Sequence, residues 1–385
     1  MARPNLTQLI DFLRSTARVL SMELRLLRWH GARTWLALEA VSSVLLALLL
    51  AELFDMDDRW WVAISAYVVM RADWHTSFSR ALQRMAGTLG GAVLAALIAP
   101  WVVESMSLYA LSLALVAGAG VYRALGSTRS YAWLLATVTA LLVLADTLHD
   151  AQVHRIALLR VADVAVGTFA SLSVAGLIQF GRKYVHLDGS SDAAAPLAPT
   201  TPANTIDRRD SAVRRLRAVH ALQGAITIAV LAALDFHGHF RDFPQMLVTI
   251  AVVLVIPLDS LVRQEDNQHA VALRMANRTL GCLLAAACAF TLLPLIGDWP
   301  IAFLLCLSAG VWLAAHVQAG NPTTSYIGTQ FGIAFLMVFV QDQLWTAQVG
   351  AAAVRLLGIL CGVLSLGLVM LGFAWLRQRL SQKNA

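Results

Sequence analysis

Apolar stretches long enough to cross a lipid bilayer recur along most of the chain, and they constrain its fold more than any other feature. A spanning helix needs about 17 to 25 predominantly apolar residues, and twelve segments approach that length. They lie near residues 34–53, 60–72, 84–101, 106–122, 131–146, 156–180, 217–235, 244–258, 278–296, 299–317, 325–341 and 349–375. Only 14% of all residues are charged, whereas a soluble domain carries about 25%. The sequence therefore predicts an all-α integral membrane protein with about twelve transmembrane helices.

The basic residues of the predicted loops alternate between the two sides of the membrane. They cluster before the first span and after the second, fourth and sixth spans, whereas the alternate loops are acidic and hold only Arg59, Arg155 and Arg241. Lysine and arginine concentrate on the cytoplasmic side, so both termini and the central linker are expected there. The net charge of +6 is thus a topology signal, and it predicts no nucleic-acid partner.

Two blocks of the sequence occur twice at almost the same spacing. The first block recurs 194 residues later (274 − 80) and the second 195 residues later (326 − 131). The matched residues are Arg80, Arg84 and Gly87 with Arg274, Arg278 and Gly281, and Tyr131, Arg160 and Gly167 with Tyr326, Arg355 and Gly362. Such self-similarity indicates a duplicated unit. Because six spans per half is an even number, we expect two parallel repeats related by an axis along the membrane normal.

The predicted domains follow from this duplication. They are a cytoplasmic amphipathic N-terminal segment (1–33), a first six-helix repeat (34–182), a cytoplasmic linker (183–212), a second six-helix repeat (213–376) and a cytoplasmic tail (377–385). Leucines and arginines alternate at helical spacing in the N-terminal segment. Such a helix either lies on anionic membrane lipids or packs against the cytoplasmic ends of the protein's own spans.

Arg160 and Arg355 lie inside the last predicted span of each half, near its outer end. A charge in a span costs about 2.5 to 3.5 kcal/mol and therefore usually faces a bundle interior or a water-filled cavity. A guanidinium binds a carboxylate through two parallel hydrogen bonds, so both are candidate contacts for an organic anion. The alternative is a structural role, in which Arg160 pairs with Asp163 one turn along. Gly358 stands at the corresponding position beside Arg355, which makes Arg355 the stronger candidate.

Further candidates fall at the helix ends and within the spans. Arg80, Arg84, Arg274 and Arg278 are expected to form a basic cytoplasmic vestibule that gathers anions, or else to anchor the topology. Glu39 and Asp163 are intramembrane carboxylates, and a carboxyl group that can cycle a proton in low dielectric is a candidate for proton coupling. The alternative for Asp163 is neutralisation of Arg160.

Aromatic and amide groups supply the last candidate contacts. Tyr131 and Tyr326 begin matched helices, and Gln330 follows one turn after Tyr326 on the same face. These groups suit an aromatic substrate, which they would stack on and hydrogen-bond. The alternative is that the tyrosines are interfacial anchors.

Signatures of catalysis are missing from the sequence. It contains no Gly-Lys-Ser/Thr phosphate loop, no Gly-x-Ser-x-Gly elbow and no His-Glu-x-x-His pair, which are the motifs of nucleotide hydrolysis, acyl transfer and zinc proteolysis. The four cysteines fall inside predicted spans, without a metal-ligand spacing to histidine. The sequence therefore predicts neither enzyme activity nor a cofactor or metal.

Several motifs together resemble one family of exporters. The run Trp60–Met70 followed by Arg80–Gly91 resembles the signature of the fusaric acid resistance and aromatic acid exporter family, and Tyr326–Phe335 with Arg355–Leu360 is similar to its C-terminal half. The resemblance covers nearly all of residues 34–375. The chain departs from the longer exporters in its short linker, which leaves no room for their large cytoplasmic domain, and in the missing Gly-Thr pair after Arg278.

The resemblance implies an inner-membrane efflux protein for fusaric-acid-like or hydroxybenzoate-like carboxylic acids that works with a periplasmic membrane fusion protein. Proton coupling is compatible with it. The plant aluminium-activated malate transporters are similar in having six-span units, which they join as dimers around an anion pathway. A passive organic-anion channel and a homo-oligomer therefore stay open, as does a membrane scaffold without transport.

Overall fold

The computed structural model describes residues 6–25, 31–71, 73–102, 105–148, 152–184, 210–256, 267–297, 299–341 and 349–383. These residues form thirteen helices and no strand. The helices are α1 (Leu6–Arg25), α2 (Ala32–Leu53), α3 (Arg59–Val69), α4 (Trp74–Val102), α5 (Met106–Gly126), α6 (Ser130–Asp146), α7 (Val153–Tyr184), α8 (Ser211–Gly238), α9 (Phe243–Leu254), α10 (Asn267–Ile296), α11 (Pro300–Gln318), α12 (Pro322–Phe339) and α13 (Val349–Lys383). Each predicted apolar segment falls on one of α2 to α13, so the all-helical prediction is confirmed. Most of the predicted linker lies outside the described residues.

Eight of the described helices are long and apolar enough to cross a membrane: α2, α4, α5, α7, α8, α10, α11 and α13. Helices α6 and α9 are apolar but shorter, and α3 has only 11 residues. Large apolar side chains project outward along the long helices, and Leu97, Leu177, Leu295 and Leu368 are each 69 to 82% exposed. Such apolar surfaces suit a lipid solvent. Each helix also satisfies its own backbone hydrogen bonds, as a segment exposed to lipid must.

Polar caps and prolines mark several helix starts. The side chain of Asp210 accepts a hydrogen bond from the amide of Ala212 at 3.1 Å at the start of α8, and Asn321 accepts one from the amide of Thr323 at 3.0 Å at the start of α12. Both side chains satisfy an amide that the first turn of a helix leaves without a backbone partner. Pro322 then occupies the first turn of α12, where the missing amide hydrogen costs nothing.

The described contacts divide the chain into two compact units. Unit 1 takes its residues from Met1–Ser77, Gly167–Thr201 and Leu280–Val349, and unit 2 from Phe78–Val166, Pro202–Thr279 and Gly350–Ala385. In unit 1, α2 packs against α3 and α11, and α12 packs against α11 and α3. In unit 2, α5 packs against α8 and α6, and α9 packs against α6 and α8. Each unit therefore draws helices from both predicted halves of the sequence.

Glycines allow two pairs of helices to approach closely. A methyl group on Gly87 of α4 would collide with the carbonyl oxygen of Ala132 on α6, within unit 2. In unit 1, a methyl group on Gly281 of α10 would lie 2.8 Å from the carbonyl oxygen of Ile327 and 2.9 Å from Cβ of Gln330 on α12. Both pairs depend on the missing side chain for their spacing.

A second pair of glycines plays the same part on the last helix of each predicted half. In unit 1, a methyl group on Gly167 of α7 would collide with the carbonyl oxygen of Val62 on α3. In unit 2, one on Gly362 of α13 would lie 3.0 Å from the carbonyl oxygen of Met246 on α9. These contacts are close enough that an alanine would force the helices apart.

Within unit 1, the amphipathic helix α1 contacts other parts of the unit through Glu23. Its carboxylate accepts a hydrogen bond from the amide of Asn321 at 3.0 Å and forms an ion pair with Arg33 at 2.9 Å. The Glu23 side chain is only 13% exposed. This end of α1 therefore packs against the protein's own helices, which is one of the two interpretations that its sequence allows.

Candidate functional site

The clearest meeting of predicted site residues lies in unit 2, where α4 faces α6. Nη1 of Arg84 donates a hydrogen bond to Oη of Tyr131 at 3.1 Å, and the guanidinium carbon of Arg80 lies 4.1 Å from the centroid of the same ring. Residues four apart share one helical face, so both arginines of α4 reach one phenol. We call this group the Arg80–Tyr131–Arg84 cluster.

The cluster is buried more deeply than an open vestibule would be. Arg84 is only 3% exposed, and Nε of Arg80 is inaccessible to solvent and makes no hydrogen bond within the described part of the chain. Gly87 follows Arg84 by one helical turn, and the close approach of α6 at Gly87 explains this burial. The structure therefore places these arginines inside a helix contact, although their position in the sequence predicts a cytoplasmic surface.

The groups of the cluster suit an anion. Each guanidinium offers several hydrogen-bond donors in a planar fork, and a phenol both accepts and donates. Two guanidiniums beside one ring create a positive potential that low-dielectric surroundings strengthen. A planar carboxylate can take two parallel hydrogen bonds from such a fork.

The second pair of predicted vestibule arginines has different neighbours. Arg278 is 4% exposed and donates a hydrogen bond from Nη2 to Oγ1 of Thr249 on α9 at 3.1 Å. Arg274 lies one turn earlier on α10. Thr249 could not be recognised from the sequence, because a single threonine in an apolar helix carries no motif and only the packing of α9 brings it to Arg278.

Arg160 has an acidic neighbour on another helix. Its Nη2 lies 3.5 Å from Oδ2 of Asp146, the last residue of α6, and the Arg160 side chain is 12% exposed. Asp163, the local partner that the helical spacing predicts, is itself 2% exposed. Arg160 therefore has a carboxylate beside it that its own helix does not supply.

Arg355 also has an acid in its surroundings that its own helix does not supply, Asp242, and its place as the stronger anion contact stays a prediction. Asp242 directly precedes α9, and its carboxylate packs where Gly358 of α13 has no side chain. Burial raises the pKa of Asp242 from 3.8 to about 7, and the positive charge of Arg355 acts against that rise. The spacing along α13 cannot show this acid, because it comes from a distant part of the sequence.

The remaining candidates belong to unit 1. Gln330 is 2% exposed and its Cβ faces Gly281 of α10, so the residue forms part of a helix contact. Tyr326 and Glu39 are half-buried on α12 and α2. Their roles in substrate binding and proton coupling stay predictions. Among the described residues, no group of three or more His, Cys, Asp or Glu side chains is placed to hold a metal ion.

The helices and their exposed apolar faces define the class of protein as a multi-pass α-helical membrane protein. Residues 46–174 match the model of a family described as fusaric acid resistance protein-like, which is a family of membrane transporters. The match confirms the family resemblance seen in the first predicted half, including Trp60–Met70 and Arg80–Gly91. No curated protein and no solved structure matches the chain.

Proposed function

We propose that this protein exports organic anions, chiefly aromatic carboxylates, across the bacterial inner membrane. The observation that carries the proposal is the Arg80–Tyr131–Arg84 cluster, in which two guanidiniums of α4 meet one phenol of α6 at 3.1 Å and 4.1 Å. The family match over residues 46–174 includes all three residues. In a transporter, a buried positive cluster would bind the anion during its passage.

The chemistry of the cluster favours an aromatic acid over a simple anion. The carboxylate of such a substrate would bind the guanidinium forks, and its ring would pack against the aromatic and apolar groups nearby. Displacing water from both ends of the substrate strengthens the charged hydrogen bonds. A small hydrophilic dicarboxylate would leave the aromatic surface without a partner.

Two parallel repeats are part of the proposal, and the glycine contacts support them. Gly87 and Ala132 of one contact correspond to Gly281 and Ile327 of another, at offsets of 194 (281 − 87) and 195 (327 − 132). If each predicted half is a repeat, each unit combines the first two helices of one repeat with the fourth and fifth of the other. Exchanged helices of this kind would make the two halves depend on each other for folding.

The rest of the proposed pathway uses the outer arginines. Arg160 and Arg355 would receive the anion after the cluster releases it. While no substrate is bound, Asp146 and Asp242 would balance the charges of these two arginines. Both termini would be cytoplasmic, as the distribution of basic loops indicates. A periplasmic membrane fusion protein would then accept the substrate on the far side.

Flux measured in proteoliposomes tests this function. Radiolabelled 4-hydroxybenzoate is loaded inside the vesicles, and its movement is followed with and without a pH gradient. Uphill movement under the gradient supports an exporter, downhill movement that ignores the gradient supports a channel, and no flux supports a scaffold. Malate serves as the hydrophilic competitor, and we expect it to inhibit poorly.

Variants of the cluster identify the site. We expect Arg84→Gln to lower flux roughly tenfold or more, because hydrogen bonds to charged groups contribute about 1.5 to 3 kcal/mol. Tyr131→Phe keeps the ring under Arg80 and removes only the hydroxyl, so a smaller loss of a few-fold is expected. Arg123→Gln is the matched control, since Arg123 also lies over an aromatic ring, that of Trp133 at 5.7 Å, but is exposed. Equal flux in all three variants and the unaltered protein would rule out the cluster.

A further inference from the structure

A basic surface cavity lies in unit 2, where the start of α8 comes close to the end of α13. Its volume is about 700 Å³, within the range of roughly 300 to 1,000 Å³ that ligand sites occupy. The residues that line it are Ser211, Ala212, Arg215, Leu216, Val219 and Arg377. Two guanidiniums from helices far apart in the sequence therefore border one space that also has apolar walls. We call this space the α8–α13 cavity.

The two arginines of the cavity are accessible to a ligand. Arg215 and Arg377 are both exposed, and neither guanidinium forms an ion pair or a hydrogen bond within the described part of the chain. The nearest acid along α8 is Asp210, whose Oδ1 accepts hydrogen bonds from the amide of Ala212 at 3.1 Å and the hydroxyl of Ser211 at 3.4 Å. That carboxylate caps α8. The lining of the cavity thus carries two positive charges and no acid.

The apolar wall of the cavity continues along the outer face of α8. Residues three or four apart share one helical face, and Arg215 is followed at these spacings by Val219, Leu222 and Ile226. Leu222 is 50% exposed and Ile226 is 37% exposed, so this face is turned toward the lipid. A molecule whose charged end binds at Arg215 can therefore lay an apolar part along α8.

The end of α13 marks the depth of the cavity in the membrane. Trp375 is exposed, and the guanidinium carbon of Arg379 lies 4.4 Å from the centroid of its ring. Tryptophan is enriched at the boundary between lipid and water, and arginine extends its charged end toward that boundary. Arg377 lies between these two residues in the sequence. The cavity therefore opens at the level of the lipid headgroups.

We infer that the α8–α13 cavity binds the headgroup of an anionic phospholipid. Arg215 and Arg377 contact its phosphate, and its acyl chains follow the outer face of α8. Phosphate oxygens accept charged hydrogen bonds from guanidiniums, and basic pockets between transmembrane helices on the cytoplasmic side bind lipid headgroups in this way. A free phosphate ion offers the same oxygens but has no apolar part for α8, and salt screens its attraction to exposed arginines. The site does not depend on the proposed export function.

Lipid binding to the purified full-length protein tests the inference. The protein in lipid-free detergent micelles is titrated with dioleoylphosphatidylglycerol, and native mass spectrometry measures the fraction that carries the lipid. Zwitterionic dioleoylphosphatidylcholine should bind at least about fivefold more weakly. We expect Arg215→Gln and Arg377→Gln each to weaken phosphatidylglycerol binding about fivefold, because one arginine beside anionic lipid contributes roughly that factor. Equal binding of the two lipids to the unaltered protein would overturn the inference.

Arg214→Gln is the matched control. Arg214 is exposed at the neighbouring position of α8, but it is not among the described residues that line the cavity. Its variant removes the same charge and should leave phosphatidylglycerol binding almost unchanged. An equal loss in Arg214→Gln and Arg215→Gln would show that only the general charge of this helix end attracts lipid, which would rule out the site.

Two further measurements complete the test. Inorganic phosphate and glycerol 3-phosphate at millimolar concentrations should not displace the lipid, and displacement by either would assign the cavity to a free phosphate instead. Each variant should unfold like the unaltered protein in lipid-free micelles, so that a lost site is distinguished from a lost fold. Because no measurement here involves flux, failure of the lipid site leaves the proposed export standing, and failure of export leaves the lipid site standing.

Discussion

Replacing Gly87 by alanine tests the link between helix packing and the anion cluster. The new methyl group would collide with the carbonyl oxygen of Ala132 and lie 3.1 Å from Cβ of Leu135. Ordinary contact requires α4 and α6 to separate by roughly 1 Å, and overpacking of this kind costs about 1 to 3 kcal/mol. The same displacement would stretch the 3.1 Å hydrogen bond between Arg84 and Tyr131 past the length at which it contributes. We therefore expect lower stability and roughly tenfold lower anion flux together.

Gly90 provides the matched control on the same helix, because a methyl group there meets nothing within 4 Å. Gly90→Ala should leave flux unchanged and stabilise the helix by up to about 1 kcal/mol, since alanine loses less backbone entropy than glycine. Unfolding in detergent micelles measures stability, and flux of 4-hydroxybenzoate in proteoliposomes measures function. If Gly87→Ala were as stable and as active as Gly90→Ala, the close contact of α4 with α6 would not support the cluster.

Two further outcomes follow from unit 2. Arg217 is 9% exposed and donates to the carbonyl oxygen of Tyr122 from Nε at 3.2 Å and Nη2 at 2.8 Å, so Arg217→Gln should lower the free energy of unfolding by about 1 to 3 kcal/mol. The exposed Arg215 on the same helix is the control, and its glutamine variant should change the unfolding free energy by less than about 0.5 kcal/mol. Asp242 should make the free energy of unfolding depend on pH, because its pKa is raised in the folded protein. Its stabilising contribution is complete below about pH 4 and is lost as the pH rises toward about 7. The loss is at most about 1.4 kcal/mol for each pH unit. Unfolding in micelles at pH 5 and pH 7 checks this, and an Asp242→Asn variant with an undiminished slope would contradict it.

Several features of the site could be predicted from the sequence because they are local. The spacing of Arg80 and Arg84 places both on one face of a helix, and the motif around them carries the family resemblance that the match over residues 46–174 confirms. The glycine at 87 indicates a close helix contact through its size alone. What the motif could not show is that the contact would bury Arg84 against Tyr131, 47 residues away.

The acidic neighbours of Arg160 and Arg355 could not be predicted either, because they come from distant parts of the sequence. A search along one helix offers Asp163 for Arg160 and nothing for Arg355, whereas the structure adds Asp146 from the end of α6 and Asp242 from the residue before α9. Which loop ends beside which span depends on the packing of all the helices of a unit. The pattern of residues along one segment does not show how the helices pack.

The sequence alone determined that this protein is helical and made for a membrane. In lipid, every backbone amide and carbonyl must be satisfied within its own segment, so the length and polarity of each stretch decide its structure without reference to the rest of the chain. The tertiary structure alone decided the neighbours of each charged side chain. Those neighbours come from segments far apart in the chain, and their meeting depends on close contacts such as those at Gly87 and Gly358, where the absence of one methyl group admits another helix or a carboxylate.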